Sequence, residues 1–175
     1  MTSPGSLSVT FCYNDYRDED VDEAPCVPEP LDEADFAAFD EIVAANEDDV
    51  GKLVLRRAEV AFEIEDSLDA TVANFCLGAI PDLVGRKHVV VRHFLSYGYL
   101  RLDPEASEML ISGDFVPKVR LPRAELIPAL FGVGDRYVRF LERVRGNDAE
   151  YQGLIGGLRE KRDLAAEALS TWDGE

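Results

Sequence analysis

Hydrophobic and polar residues alternate over several short stretches of the chain, which is the pattern of half-buried β-strands. In residues 7–13 the apolar face consists of Leu7, Val9, Phe11 and Tyr13. Similar patterns predict strands in residues 60–64, 89–91, 94–102, 109–111 and 115–121, and residues 53–57 fit either a short strand or a helical turn. Short connections with Gly and Asp separate the last four patterns, which predicts antiparallel hairpins.

Other segments repeat their apolar residues at helical spacing. The first predicted helix covers residues 32–46, with Asp32 as N-cap and Asp35 at the capping-box position. A second helix follows Ser67 and ends at Pro81. Both are amphipathic, so each is expected to pack one face on a sheet.

The C-terminal third of the chain is also predicted to be helical. A helix begins at Pro122, Gly132 and Gly134 interrupt its pattern, and a last helix covers residues 148–170. The sequence contains no internal repeat and no domain linker. The prediction is therefore a single α+β domain, residues 1–175, with an antiparallel sheet packed with helices and a helical C-terminal third.

Acidic residues are concentrated at one end of the sequence. Residues 1–50 contain fifteen Asp and Glu residues and one basic residue, Arg17, and so carry −14 of the chain's net charge of −17. Residues 14–30 include three prolines, lack any apolar period and are predicted to form an extended acidic loop. The cluster Glu47, Asp48 and Asp49 follows the first helix, where the helix dipole disfavours anions. Such local acidity predicts a surface for a cationic partner.

The composition limits the class of protein. A chain of 175 residues with 46% hydrophobic residues can bury a core. No stretch reaches the roughly 20 apolar residues that cross a bilayer, and the first seven residues lack a secretory pattern, so a cytoplasmic location is expected. The negative charge disfavours direct contact with anionic membranes and nucleic acids.

Three cysteines, Cys12, Cys26 and Cys76, form no CxxC pair. For a cytoplasmic protein we expect reduced thiols, with Cys12 and Cys76 packed as small apolar groups. A Cys12–Cys26 disulfide is the alternative, and it is uncommon in that compartment.

Part of the acidic loop partly matches the pattern of a calcium-binding loop. Asp18, Asp20 and Asp22 occupy positions 1, 3 and 5 of a twelve-residue window that ends at Glu29, and these are ligand positions in EF-hand loops. Position 6 is Glu23 instead of glycine, two prolines interrupt the window, and no helix precedes it. We therefore expect no metal and no cofactor.

Candidate catalytic groups do not form a set. His88 and His93 are five residues apart and lie on opposite faces of a strand, and His93 is expected to pack in the sheet with its ring nitrogens hydrogen-bonded. Glu63 and Glu65 point the same way, about 7 Å apart. Paired carboxylates can perform acid–base chemistry, but a solvated strand face is the favoured interpretation. No phosphate loop or nucleophile elbow is present, so we expect no enzyme.

One helix carries basic residues at positions i, i+3 and i+7: Arg136, Arg139 and Arg143. They fit an anionic ligand, or they pair with the acidic loop, which the net charge favours. Tyr13 and Tyr16 flank the acidic loop and are candidate aromatic anchors for a partner. Phe94, Tyr97 and Tyr99 are expected to pack in the sheet.

The stretch HFLSYGYLRLDPEASEMLISGDF, followed by VRLPRAELIPALF, has a hairpin-then-helix pattern. With its small size, its acidity and its lack of a catalytic set, the chain resembles the immunity proteins of bacterial toxin systems over residues 60–145. The resemblance implies a protein that binds a cognate toxin and blocks its active site. It assigns no role to any single residue.

The leading hypothesis is a non-enzymatic acidic protein that neutralises a cognate toxin or effector domain with a cationic surface. Its predicted contact residues are Tyr13, Asp15, Tyr16, Asp18, Glu19, Asp20, Asp22, Glu23, Glu47, Asp48 and Asp49. One alternative is a small enzyme or ligand-binding domain that uses the arginine face or the Glu63–Glu65 pair, which an apolar pocket lined by either group would favour. The other is an inhibitor that imitates DNA, which requires rigid carboxylates spaced like phosphates.

Overall fold

The computed structural model describes residues 5–18 and 23–174. Within these residues the strands form two four-stranded antiparallel sheets. The first sheet has the order β2-β1-β3-β4 and consists of β1 (Ser8–Asn14), β2 (Cys26–Pro28), β3 (Val50–Arg57) and β4 (Val60–Ser67). The second has the order β5-β6-β7-β8 and consists of β5 (Val89–Arg92), β6 (Tyr99–Glu105), β7 (Glu108–Gly113) and β8 (Val119–Pro122).

Helices cover both sheets. They are α1 (Glu33–Ala45), α2 (Leu68–Thr71), α3 (Ile80–Val84), α4 (Arg123–Arg145) and α5 (Gln152–Ser170), and a π-helical turn, Val72–Leu77, extends α2. The long helix α4 packs against β1 of the first sheet and against β7 and β8 of the second. The apolar side chains of both sheets and of the helices form one core. The α+β class and the helical C-terminal third are confirmed, with two sheets in place of the one predicted.

Aromatic rings fill the space between β1, α1 and α4. The Phe11 ring lies edge-on to the rings of Tyr137 and Phe140, with centroid distances of 5.2 and 5.4 Å. Phe39 of α1 contacts Phe140 in the same way at 5.1 Å. Aromatic pairs in this geometry stabilise a core beyond the area they bury. The alternation predicted for β1 therefore identified the strand face that packs on α4.

Helix α1 begins as predicted. The Asp32 carboxylate accepts hydrogen bonds from the backbone N–H groups of Ala34 and Asp35, at 2.9 and 3.2 Å. The Asp35 carboxylate in turn accepts the N–H of Asp32 at 3.4 Å, which completes the capping box. Both acidic side chains thus have a local structural role.

Helix α4 corrects the prediction of a break at Gly132 and Gly134, because it runs through both glycines. At Gly134 the helix approaches the π-helical turn so closely that a Cβ would lie 2.5 Å from Cδ2 of Leu77. The glycine is therefore required by helix packing. The predicted end at Pro81 is also wrong, because Pro81 lies in the first turn of α3, where a proline is tolerated.

The fully buried side chain of Arg123 joins three parts of the fold. Its guanidinium group donates to the carbonyl of Leu83 at 3.0 Å and to that of Ala106 at 3.5 Å. Burial lowers the pKa of Arg123, with a smaller contribution from Arg86. The side chain thereby fixes the start of α4 against α3 and the β6–β7 turn.

Candidate binding surface

The acidic loop joins β1 to β2, and a disulfide between Cys12 and Cys26 closes it. The backbone N–H of Asp15 also donates to the carbonyl of Pro25 at 2.8 Å. This corrects the expectation of a reduced Cys12, and the reason is the strand β2, which the sequence pattern did not predict. Pairing of β2 with β1 brings the two cysteines together. Cys76 is a buried free thiol, as expected.

Arg17 links the start of the acidic loop to α1. Its guanidinium group pairs with the Asp15 carboxylate at 2.7 Å and with the Glu41 carboxylate at 3.3 Å. The hydrogen bond from Arg17 lowers the pKa of Asp15. Exposed pairs of this kind contribute little to stability. Their effect here is to connect Asp15 to Glu41 of α1.

The structure brings the loop and the turn after α1 together. Asn46 is buried, and its side-chain amide donates to the carbonyl of Asn14 at 3.0 Å and to that of Val50 at 2.7 Å. Glu47 and Asp48, which follow Asn46, are exposed. The start of the acidic loop therefore lies next to the turn that carries Glu47 and Asp48.

Several predicted contact residues lie on this surface. Tyr16 is 40% exposed, Asp15 is partly buried, and Asp18, Glu23, Glu47 and Asp48 are exposed. We call Asp15, Asp18, Glu23, Glu47 and Asp48 the acidic edge. Glu19, Asp20 and Asp22 lie outside the described residues.

Tyr13 does not lie on the surface, which corrects its prediction as an anchor. Its side chain is fully buried, and its hydroxyl is 2.7 Å from that of Tyr137, which donates to the Asp69 carboxylate at 2.5 Å. Burial raises the pKa of Tyr13 well above its usual value, and the carboxylates of Asp49 and Asp69 add to the effect. Tyr13 follows the inward alternation of β1, so its proximity to the acidic loop in sequence was misleading.

Asp49 is also buried, so its prediction as a surface contact is corrected. The residue has a left-handed backbone with φ of 51° at the turn from α1 into β3, and its carbonyl accepts the N–H of Leu68 at 2.8 Å. Burial, followed by the nearby Asp69 carboxylate, raises the pKa of Asp49 to about 8. Its Oδ1 atom has no hydrogen-bond partner among the described residues. The position of Asp49 after α1 is thus explained by a turn and a buried carboxyl pair.

A histidine–aspartate contact joins the ends of the two sheets. Nδ1 of the buried His93, after β5, lies 3.4 Å from Oδ2 of Asp66, at the end of β4. The Asp66 carboxylate also accepts the N–H groups of Phe94, Leu95 and Ser67, at 2.7, 2.8 and 2.9 Å. Nε2 of His93 has no partner within the described part of the chain. The expectation that both ring nitrogens are bonded is therefore wrong, and a carboxylate does lie beside this imidazole.

Large apolar side chains are exposed next to this contact. They come from the segment between β5 and β6 and from the turn between β7 and β8, and we call them the apolar cluster: Phe94 (68% exposed), Leu95 (42%), Tyr97 (91%) and Phe115 (74%). The two segments are held together because Asp114 accepts the N–H of Tyr99 at 2.9 Å and packs on Gly98. Phe94, Tyr97 and the half-exposed Tyr99 are thus surface residues, which corrects the prediction that they pack in the sheet.

A cleft of about 480 Å³ lies between the apolar cluster and β4. Its walls combine apolar residues with acidic ones, and its lining includes Val50, Glu63, Ile64, Glu65, Asp66, His93, Leu95, Ser96, Phe115 and Val116. A cleft of this size is within the range of ligand sites in proteins.

Glu63 and Glu65 project from the exposed face of β4 and share one cation. Nζ of Lys52 lies 3.2 Å from the Glu63 carboxylate and 3.8 Å from that of Glu65. The hydrogen bond to Glu63 raises the pKa of Lys52. Glu65 also accepts a weak hydrogen bond from the Asn14 side chain at 3.5 Å, at the start of the acidic loop. Asn14 therefore links β4, which lines the cleft, to the start of the acidic loop.

The arginine side chains on α4 contact other residues of the protein. Arg136 donates to both oxygens of Glu29, at 2.8 and 3.1 Å, and to the carbonyl of Val9 at 2.7 Å. Arg139 pairs with Asp135 at 2.8 Å, and the Arg143 guanidinium lies 4.6 Å from the centre of the Phe36 ring. Pairing of this face with the acidic N-terminal segment is confirmed for Arg136. Glu29 thereby has a partner other than a metal ion.

No protein-family model, curated protein or solved structure matches the chain. In residues 5–18 and 23–174, none of the helices combines the length and the apolarity needed to cross a bilayer.

Proposed function

We propose that the protein is a non-enzymatic inhibitor that binds a cognate toxin or effector domain and neutralises it. The observation that carries this proposal is the apolar cluster, which is exposed on two segments beside a cleft lined by Glu63 and Glu65. Exposed apolar patches bordered by polar residues commonly mark interaction sites. Aromatic side chains provide most of the binding energy at such sites, and charges accelerate and orient association.

The charge of the surface defines the partner. Residues 1–50 carry −14, while residues 51–175 carry only −3. The partner is therefore expected to present Lys and Arg around an apolar depression or loop. Neither a nucleic acid nor an anionic membrane has that charge. A pull-down from the native cell, read by mass spectrometry, identifies it.

Neutralising part of the acidic edge should weaken the complex and reduce its salt dependence. We expect the variant Asp18→Ser, Glu23→Ser, Glu47→Ser, Asp48→Ser to bind the partner about tenfold more weakly at low salt, mainly through a slower association rate. The measurement is surface plasmon resonance over a series of salt concentrations.

The control removes the same number of exposed carboxylates elsewhere: Glu59→Ser, Glu105→Ser, Glu160→Ser, Glu167→Ser. It should keep most of the wild-type affinity and salt slope. If both variants lose affinity equally, net charge alone governs binding and the acidic edge is not the contact surface.

Removing two aromatic side chains should increase dissociation. Because Phe94 and Tyr97 are largely exposed, Phe94→Ser, Tyr97→Ser should change the free energy of unfolding by no more than about 0.5 kcal/mol each. Binding should lose about 2 kcal/mol or more, read as a faster dissociation rate. The matched variant Leu31→Ser, Leu164→Ser removes two other exposed apolar side chains and should dissociate like the wild type.

A cytoplasmic site of action remains part of the proposal. In that compartment thiols are kept reduced, so the Cys12–Cys26 disulfide would open there. Alkylation of the protein in freshly lysed native cells distinguishes the two states. A fully oxidised pair would assign the protein to an oxidising compartment.

The alternative of a small ligand-binding domain is favoured by one observation. Glu63 and Glu65, the carboxylate pair considered for this role, line the cleft beside apolar residues. The cleft can therefore accept a guest group, whether free or carried by a protein.

A further inference from the structure

We propose that the cleft is a receptor for a guanidinium group, supplied by an arginine side chain of the partner. The proposal deepens the inhibitor function and rests on it for the source of the arginine. The ability of the cleft to hold a guanidinium group rests only on the residues that line it.

A buried ring nitrogen of His93, which lines the cleft, lacks a hydrogen-bond partner among the described residues. The His93 side chain is 4% exposed, and its Nε2 atom has no hydrogen-bond partner in residues 5–18 and 23–174. The Asp66 carboxylate, 3.4 Å from Nδ1, favours the tautomer that carries its proton on Nδ1, and in that tautomer Nε2 is a hydrogen-bond acceptor. A buried acceptor without a donor costs free energy because it has lost its bonds to water. A guest with N–H groups removes that cost.

The lining of the cleft is negatively charged. Glu63, Glu65 and Asp66 line the cleft, and Lys52 is the cation within reach of the first two. Asp66 is satisfied by three backbone N–H groups and by His93. Among residues 5–18 and 23–174 no second cation pairs with Glu63 or Glu65, so one negative charge of the pair is uncompensated. Both side chains are about half exposed, 51% and 56%, so they can turn towards a guest.

The apolar part of the lining suits the shape of an arginine side chain. Leu95, Phe115 and Val116 line the same cleft and offer contact to an aliphatic stem. A guanidinium group is planar, stacks on aromatic rings, forms paired hydrogen bonds with carboxylates and is less strongly hydrated than an ammonium group. Phe115 supplies the ring, and its centroid lies 5.8 Å from that of His93. These features favour arginine over lysine.

The test uses n-butylguanidinium as the probe, titrated into the full-length protein without a partner and followed by amide chemical shifts in mildly alkaline buffer. We expect saturable shifts at Phe94, Leu95 and Phe115. n-Butylurea, which has the same shape without the charge, should shift these amides at least tenfold less at equal concentration. Equal binding of the two compounds would mean that the cleft recognises only apolar groups, and the proposal would be overturned.

Two double variants test whether Glu63 and Glu65 supply the negative charge that binds the probe. Glu63→Gln, Glu65→Gln should weaken n-butylguanidinium binding about tenfold, while Glu105→Gln, Glu108→Gln, the same change at the β6–β7 turn, should leave it unchanged. Equal loss in both would contradict a specific site. n-Butylammonium should bind more weakly than n-butylguanidinium, and the reverse order would assign the cleft to lysine.

The partner experiment is separate. If the cleft binds n-butylguanidinium and the probe competes with the partner, both proposals stand. Binding of the probe without competition would keep the guanidinium site and overturn its use by a partner. Partner binding that survives Glu63→Gln, Glu65→Gln unchanged would keep the inhibitor function and overturn the cleft as its arginine receptor.

Discussion

Replacing Asp49 by Asn should stabilise the protein at pH 8 and have little effect near pH 4. The pKa of Asp49 rises from 3.8 to about 8 in the folded protein, mainly through burial. Between these pH values the folded protein retains a proton that the unfolded chain has released, so the free energy of unfolding falls as pH rises. Asparagine has no such proton and tolerates the left-handed backbone at this position.

We expect Asp49→Asn to raise the free energy of unfolding by at least about 2 kcal/mol at the upper end of this range, since one pKa unit corresponds to about 1.4 kcal/mol. Urea unfolding at a series of pH values measures the difference from wild type. Asp48→Asn, at the exposed neighbouring position, is the control and should stay within about 0.5 kcal/mol at every pH. A difference between Asp49→Asn and wild type that does not change with pH would show that the buried carboxyl is not what titrates.

Opening the Cys12–Cys26 disulfide should cost about 3 kcal/mol of stability, the value expected for a closed loop of this length. The cysteines are 14 residues apart and enclose the acidic loop, and β2 pairs with β1 at only three positions. Cys12→Ala, Cys26→Ala should therefore unfold at lower urea concentration. Amide exchange in β2 should also accelerate more than exchange in β3.

Wild-type protein with a reductant should behave like this double variant, and the variant itself should not respond to the reductant. Cys76→Ala provides the control, because burial raises the pKa of the Cys76 thiol and keeps it unreactive. That variant should lose stability on reduction by the same amount as wild type. No change in wild type on reduction would mean that the disulfide does not constrain the loop.

Structure that depends on neighbouring residues was predictable from the sequence. The capping box of α1 involves only Asp32 and Asp35, and the alternation of β1 lies within seven residues, so both could be read directly. Local hydrogen bonds and strand periodicity are fixed by spacing alone. These two predictions held because residues close in sequence determine both features.

The parts that were missed depend on contacts between distant segments. The carboxylate of Asp66 reaches the N–H of Phe94, 28 residues later, and Tyr13 meets Tyr137 across 124 residues. Spacing along the chain cannot reveal such contacts. The error for Tyr13 has the same origin: it precedes an acidic stretch of the sequence that begins at Asp15, while its neighbours in space are aromatic and buried.

The apolar cluster did leave a signal that was read wrongly. Phe94 and Leu95 are adjacent, and Ser96 and Gly98 interrupt the alternation that a strand requires. Asp66 engages the N–H groups of Phe94 and Leu95, which are then unavailable to a strand ladder. Two adjacent large apolar residues followed by Ser and Gly are better read as an exposed segment than as a strand.

The order of the first sheet leaves β4 at one edge, with eight residues whose outer backbone groups face no further strand of that sheet. Long unprotected edges invite pairing between copies of a chain, and charged side chains on an edge strand oppose it. Glu63 and Glu65 are exposed charged residues of this edge strand, whereas β2 at the other edge is three residues long and ends in Pro28. The carboxylates that would attract a cationic partner therefore also work against self-association of the protein at high concentration.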